Sequence, residues 1–196
     1  MFNIVTEFEN RIANFFGAPY AVSTDCCTHA VELCLRYNNS DDISIPSHTY
    51  LSIPMTAEKL NLKWEWKDES WADYYYLDNT VIDAAVLWKR NSYIPKTLMC
   101  VSFQIKKHLS LGRGGIILLD NKQAYIDLIK LGYDGRKRGT LWAEQDVKIN
   151  GFHYYMTPEI AQLGIDKLDN AINTIPRQWT WKDYPNLKTM SVFNRQ

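Results

Sequence analysis

Leu98-Met99-Cys100-Val101-Ser102-Phe103-Gln104-Ile105-Lys106-Lys107-His108-Leu109-Ser110-Leu111-Gly112-Arg113-Gly114-Gly115-Ile116-Ile117-Leu118-Leu119 sets two lysines and three glycines between two apolar runs. The runs Leu98–Val101 and Ile116–Leu119 read as buried strands. Lys107 then sits on a loop pinned between core strands. Burial there removes solvation, lowers a lysine from its ordinary pKa of ~10.4, and frees the amine for a Schiff base. The glycines let the backbone turn tightly and approach a ligand closely. A lysine beside a glycine-rich hairpin is more commonly a solvated turn, so the segment by itself leaves both readings open.

Working outward, the chain alternates helix and strand, which predicts an α/β sandwich. Thr6 and Glu9 read as a capping box for a helix with the apolar stripe Phe8, Ile12, Phe15 and Phe16, ended by Gly17. A strand at Tyr20-Ala21-Val22 is expected next, then a turn and a helix striped by Ala30, Leu33, Cys34 and Tyr37. Ile43 and Ile45 mark a strand stopped at Pro46. Leu62, Trp64 and Trp66 alternate as another, and Val81-Ile82 form a short one ending in Asp83. Lys122 to Leu131 reads as a helix capped by Gly132. Thr157-Pro158-Glu159 starts a last helix carrying Ile160, Leu163, Leu168, Ile172 and Ile175. From Pro176 onward an irregular tail is expected.

The chain has 196 residues, which suits one domain with a short appendage: a body over 1–175 and a tail over 176–196. Its 22 basic and 22 acidic residues cancel, so nothing global favours nucleic acid or an acidic membrane surface. No apolar stretch approaches the ~20 residues of a membrane span, and the polar start is unlike a signal peptide. A soluble, cytoplasmic protein is expected. Cys26, Cys27, Cys34 and Cys100 lack paired zinc-ligand spacing, so reduced thiols and no metal site are expected. The aromatic cluster Trp64, Trp66, Trp71, Tyr74, Tyr75 and Tyr76 reads as packing rather than a base-stacking platform, because no basic groove accompanies it.

In an open α/β sheet, ligands bind where strands end and helices begin. Four such places carry chemistry. Thr28 and the amides around Cys27 sit at a helix start, suited to a phosphate or merely to capping. Tyr50 follows a strand. Asp83 ends a buried strand, where a carboxylate wants a cationic partner. Lys107 is the fourth. A phosphate cradle, an aromatic, an aspartate and a lysine in this order are the parts that hold pyridoxal 5′-phosphate.

With those parts in place, the chain resembles the DegT/StrS-type sugar aminotransferases of the type I pyridoxal-phosphate fold. Gly17-Ala18-Pro19-Tyr20-Ala21-Val22 is similar to the family's Gly-Ala-x-Tyr-Ala-Val, and Cys27-Thr28-His29-Ala30 falls at its Gly-Thr-Ala-Ala. Pro46-Ser47-His48-Thr49-Tyr50 resembles Pro-Ser-Phe-Thr-aromatic, which places Tyr50 on the cofactor ring. Val81-Ile82-Asp83-Ala84-Ala85 resembles Ile-Glu-Asp-Ala-Ala, which makes Asp83 the partner of the pyridine nitrogen. Ser102-Phe103 through Lys107 to Gly114-Gly115 resembles Ser-Phe-x-x-x-Lys ending in Gly-Gly. That match makes Ser102 a phosphate ligand and Lys107, rather than Lys106, the Schiff-base lysine. Gly151-Phe152-His153-Tyr154-Tyr155-Met156 resembles Gly-Tyr-Asn-Tyr-Arg-Met, placing His153 where the family's asparagine reaches the neighbouring subunit's phosphate.

The resemblance implies a three-layer α/β/α sandwich, a reduced large domain with most of the small C-terminal domain absent. It implies amino transfer from an amino acid such as glutamate to a nucleotide-linked keto-sugar, with pyridoxal 5′-phosphate as cofactor, by a homodimer. The departures are Val86 for a glutamine or histidine that touches the cofactor's ring oxygen, Cys27 for glycine, His153 for asparagine and Arg113 for an acidic residue. They leave a second reading, in which the fold serves an altered reaction or a non-catalytic cofactor-binding or assembly role. The related dehydratases carry histidine where this chain has Lys107, which counts against that reaction.

Overall fold

The computed structural model describes residues 2–193. Helices α1 (Asn3–Phe16), α2 (Cys27–Tyr37), α3 (Ser52–Lys59), α4 (Lys122–Gly132) and α5 (Pro158–Asn173) alternate with seven strands. These are β1 (Tyr20–Thr24), β2 (Asp42–Pro46), β3 (Lys63–Lys67), β4 (Tyr75–Tyr76), β5 (Val81–Asp83), β6 (Leu98–Ser102) and β7 (Gly115–Leu119). The main sheet runs β1-β7-β6-β5-β4, and β2 with β3 form a separate parallel pair. Strands β5 and β6 are parallel, with Asp83 opposite Cys100, whereas β6 and β7 are antiparallel, with Ser102 opposite Gly115.

Because side chains alternate across a strand, the central strands feed two cores. Ile82, Met99, Val101, Ile116 and Leu118 join the cluster that holds α1 and α5. Val81, Leu98, Cys100, Ile117 and Leu119 face the cluster of α2 and α4. The expected α/β/α sandwich is therefore the observed one. Unbroken burial along β6 and β7 explains why their sequence reads as continuous apolar runs.

Several local expectations need correction. Helix α1 starts at Asn3 with Phe2 as its cap, and the Thr6 amide already donates to Phe2 O, so Thr6 and Glu9 form no capping box. Glu9 instead turns inward, where it accepts from the Ser23 amide and Oγ and pairs with Arg138 at 2.8 Å. Gly17 does end α1, at φ 78°. Gly132 is the last residue of α4 rather than its cap; the left-handed turn falls at Gly135. On α5 the expected Ile160, Leu163, Leu168 and Ile172 pack on the core together with buried Ala161, Gly164 and Ala171, but Ile175 lies beyond the helix and is 95% exposed. A Cβ on Gly164 would stand 2.4 Å from Phe8, so α1 and α5 approach through that glycine.

The tail is irregular but not loose. Its Leu187 amide donates to Ser47 O, its Trp181 amide to Trp71 O, and Trp179 O accepts from Asp73, so residues 179–190 return along β2 and the 71–75 segment. Among the described residues the cysteines are free thiols, and no helix is long and apolar enough to cross a membrane.

Candidate active site

The ends of β5 and β6, the start of α2 and the returning tail enclose a cavity of about 490 Å³. Asp83, Ser102 and Lys107 reach it because parallel β5 and β6 finish side by side and the chain after Ser102 turns out of the sheet. Cys27 and Thr28 reach it because α2 starts against Gly115. A Cβ there would lie 2.5 Å from the Cys27 amide nitrogen, so only glycine lets the hairpin and helix meet. Tyr50 lies on the cavity's edge, 62% exposed. Six of the seven residues singled out in the sequence thus line one cavity. His153 does not: its side chain is exposed and pairs with Asp134 at 3.0 Å.

Each group has a defined environment. Asp83 is buried; its Oδ2 accepts from Tyr75 Oη at 2.5 Å and its Oδ1 from the Ala85 amide at 2.9 Å. Burial raises the Asp83 carboxyl, against the opposing effect of those two hydrogen bonds and of Lys107. Tyr75 also meets Thr49 Oγ1, so a chain of hydroxyls leads to the carboxylate. Burial lowers the Lys107 ammonium, opposed by Cys27 and Asp83. Its Nζ lies 5.4 Å from the centre of the Trp179 ring, and its amide donates to Gln104 O. Lys106, the competing lysine, is exposed on the same cavity. Thr28 donates to Ser52 Oγ at 2.9 Å, and Ser102 Oγ accepts from the Gln104 amide at 3.3 Å. The first turn of α2 has no side-chain cap, which leaves its amides for an anion.

Sequence reasoning missed the opposite wall. Trp71 and Tyr75 look like packing in the sequence and are indeed buried, yet they also line the cavity, as do Trp179, Asp183 and Tyr184 from the tail. No motif marks these residues; the available signal was an aromatic-rich tail, too polar for a core helix. Val86, noted as a departure, does face the cavity beside Ala85.

An α/β/α sandwich with a lysine, an aspartate and an uncapped helix start around one cavity has the layout of an aminotransferase large domain. The chain belongs to the DegT/DnrJ/EryC1/StrS aminotransferase family, whose model matches residues 2–95 and 93–184. It is 29% identical over 126 residues to the UDP-2-acetamido-2-deoxy-3-oxo-D-glucuronate aminotransferase of Pseudomonas aeruginosa, covering 62% of this chain and 35% of that protein. Its fold matches AtS13 from Actinomadura melliaura with a TM-score of 0.76 at 20% identity, over 86% of this chain and 60% of that one. Spr1654 from Streptococcus pneumoniae, in its PLP form, matches with a TM-score of 0.70 at 18% identity, over 86% and 59%. The chain therefore spans about a third of the curated relative and about three-fifths of these solved structures.

Proposed function

We propose that this chain binds pyridoxal 5′-phosphate and transfers an amino group from an amino acid to a keto-sugar, with Lys107 as the attachment amine. The observation that carries this reading is the pairing, in one cavity, of a lysine lowered by burial with a buried aspartate that has no ion-pair partner among the described residues. A buried carboxylate of that kind calls for a cation, and a protonated pyridine nitrogen supplies one. The uncapped amides of α2, with Thr28, Cys27 and Ser102 beside them, suit the phosphate. The donor set thus fits the cofactor at both of its ends.

When bound, pyridoxal phosphate supplies an electron-withdrawing ring and a temporary store for an amino group. The protein's own groups do the rest. Asp83 holds positive charge at the ring nitrogen, and Tyr75 with the Ala85 amide keeps that carboxylate aimed. Lys107, lowered by burial, has a neutral amine at milder pH than an exposed lysine and can take and return a proton inside the cavity. Tyr50 offers a ring face at the cavity's edge, and Trp71, Trp179 and Tyr184 limit the entry of water.

Support for a sugar substrate comes from the Pseudomonas aeruginosa relative, which is named for a nucleotide-linked keto-sugar acid. We further propose a homodimer, in which exposed His153 faces the neighbour's cavity. Leu141 and Trp142, 70% and 72% exposed on the adjoining loop, give that contact an apolar element. The test is to load the protein with the cofactor and measure 2-oxo acid formed from glutamate and other donors, with and without nucleotide-linked keto-sugars. Oxo acid in one equivalent without acceptor, and in many with it, supports the reading. A loaded protein that forms none supports the binding or assembly role.

A further inference from the structure

Three donors of different chemical type meet at the start of α2, on the rim of the cavity. An oxygen of Asp25, the sulfur of Cys26 and a ring nitrogen of His29 all lie within 4.8 Å of one another. Asp25 Oδ1 and His29 Nδ1 are 2.6 Å apart. Asp25 Oδ2 accepts from Arg113 Nη2 at 2.8 Å, and the same nitrogen lies 3.9 Å from Cys26 Sγ.

The cluster is held from several sides. Asp25 and Cys26 immediately precede α2 and His29 lies in its first turn, so the entry of the chain into the helix brings the three together. The His29 ring stacks on Tyr154 at 3.6 Å and 9°, and the Asp25 amide donates to Tyr154 O at 2.8 Å, so one residue orients both ends. Cys26 takes an extended backbone, φ −159° and ψ 159°, and its side chain makes no cap bond. All three residues are half-buried, neither sealed in the core nor free in solvent. The sequence expectation of no metal site weighed only pairs of cysteines. A mixed set built on one cysteine escapes that argument.

We propose that Asp25, Cys26 and His29 form a binding site for a divalent transition metal of the zinc class, with three protein ligands and an open fourth position. A thiolate, an imidazole and a carboxylate are the donor types that zinc takes, whereas calcium and magnesium want oxygens alone. With bonds of about 2.0–2.1 Å to nitrogen and oxygen at a tetrahedral angle, the Asp25–His29 separation must open from 2.6 Å to roughly 3.3 Å, a shift of about 0.7 Å. Arg113 stays on the outer oxygen of Asp25 and orients it from outside the metal's bonds. Binding releases two protons to solvent, the Cys26 thiol proton and the proton that His29 Nδ1 donates to Asp25, while Nε2 stays protonated. This site does not depend on the cofactor.

Cobalt(II) titration of the full chain, free of any histidine tag and stripped with a chelator, tests it. One equivalent is expected to bind per chain, with a thiolate-to-cobalt charge-transfer band and the strong visible absorption of four-coordinate cobalt, both erased by one equivalent of zinc. Cys26→Ser is expected to lose the charge-transfer band, and His29→Gln to weaken binding by about tenfold or more. Cys27→Ser, the adjacent thiol, is expected to keep both. Circular dichroism of each variant separates lost binding from lost fold. Absence of saturable binding in the unaltered chain would overturn the site, as would a band that survives Cys26→Ser or disappears in folded Cys27→Ser.

Discussion

The cavity has two walls with different origins. One consists of strand ends and a helix start: Asp83 closes β5, Ser102 closes β6, Lys107 follows it, and Thr28 opens α2. The other consists of Tyr75 on the short edge strand β4 together with Trp179, Asp183 and Tyr184 from the tail. The first wall is placed by backbone punctuation that every α/β sheet shares, so its chemistry is fixed by local position. The second is placed by contacts between distant segments, such as the Asp73 amide on Trp179 O and the His48 ring on Tyr184 O. The two walls meet where Tyr75 holds Asp83 and where Trp179 covers Lys107.

If the first wall carries the chemistry and the second only shapes it, variants should separate them. Asp83→Asn is expected to leave the chain folded and to cut oxo-acid formation from amino donors by on the order of 10²-fold or more. A loaded variant working at the unaltered rate would remove Asp83 from the chemistry.

Tyr75→Phe crosses between the walls. It takes a hydrogen bond from a buried carboxylate and is expected to cost about 1–3 kcal/mol in urea unfolding. An unchanged midpoint would mean that the Ala85 amide alone holds Asp83.

Trp179→Ala addresses the second wall alone. Cofactor affinity is expected to weaken by about tenfold, roughly 1.4 kcal/mol, with little change in the unfolding midpoint. Equal affinity would reduce the tail to a cover.

The smallest effect concerns pH and the anchoring of α2. Burial raises the Glu32 carboxyl, but hydrogen bonds from Lys59 and Arg36 outweigh it and hold the group below its ordinary value. Its contribution to stability is therefore complete above the unfolded pKa of about 4.3 and is lost as pH falls through the lower folded value. Glu32→Gln is expected to lower stability at neutral pH and flatten the acid limb of the stability curve. A parallel offset at every pH would show that the ion pairs contribute nothing specific.

The same contrast explains what could be read from the sequence. Buried β6 and β7, the Gly17 stop and the Pro158 start are written in runs and punctuation within a few residues, and each appears where expected. On α5 the apolar stripe Ile160, Leu163, Leu168 and Ile172 does pack on the core, whereas the close approach of Gly164 to Phe8 leaves no mark in such a stripe. Glu9 reads as a cap in the sequence because its partner, Arg138, lies 129 residues away. Tyr75 and Trp179 were invisible for the same reason: only the folded chain brings the 71–75 segment and the tail to one cavity.

The central claim is that Lys107 is the amine to which the cofactor attaches. Incubation with pyridoxal 5′-phosphate, borohydride reduction and peptide mapping test it directly, with Lys107→Ala and Lys106→Ala alongside. The account predicts one modified site, Lys107, lost in Lys107→Ala and kept in Lys106→Ala. Specific modification that persists in folded Lys107→Ala, or that maps to Lys106 in the unaltered chain, would contradict it.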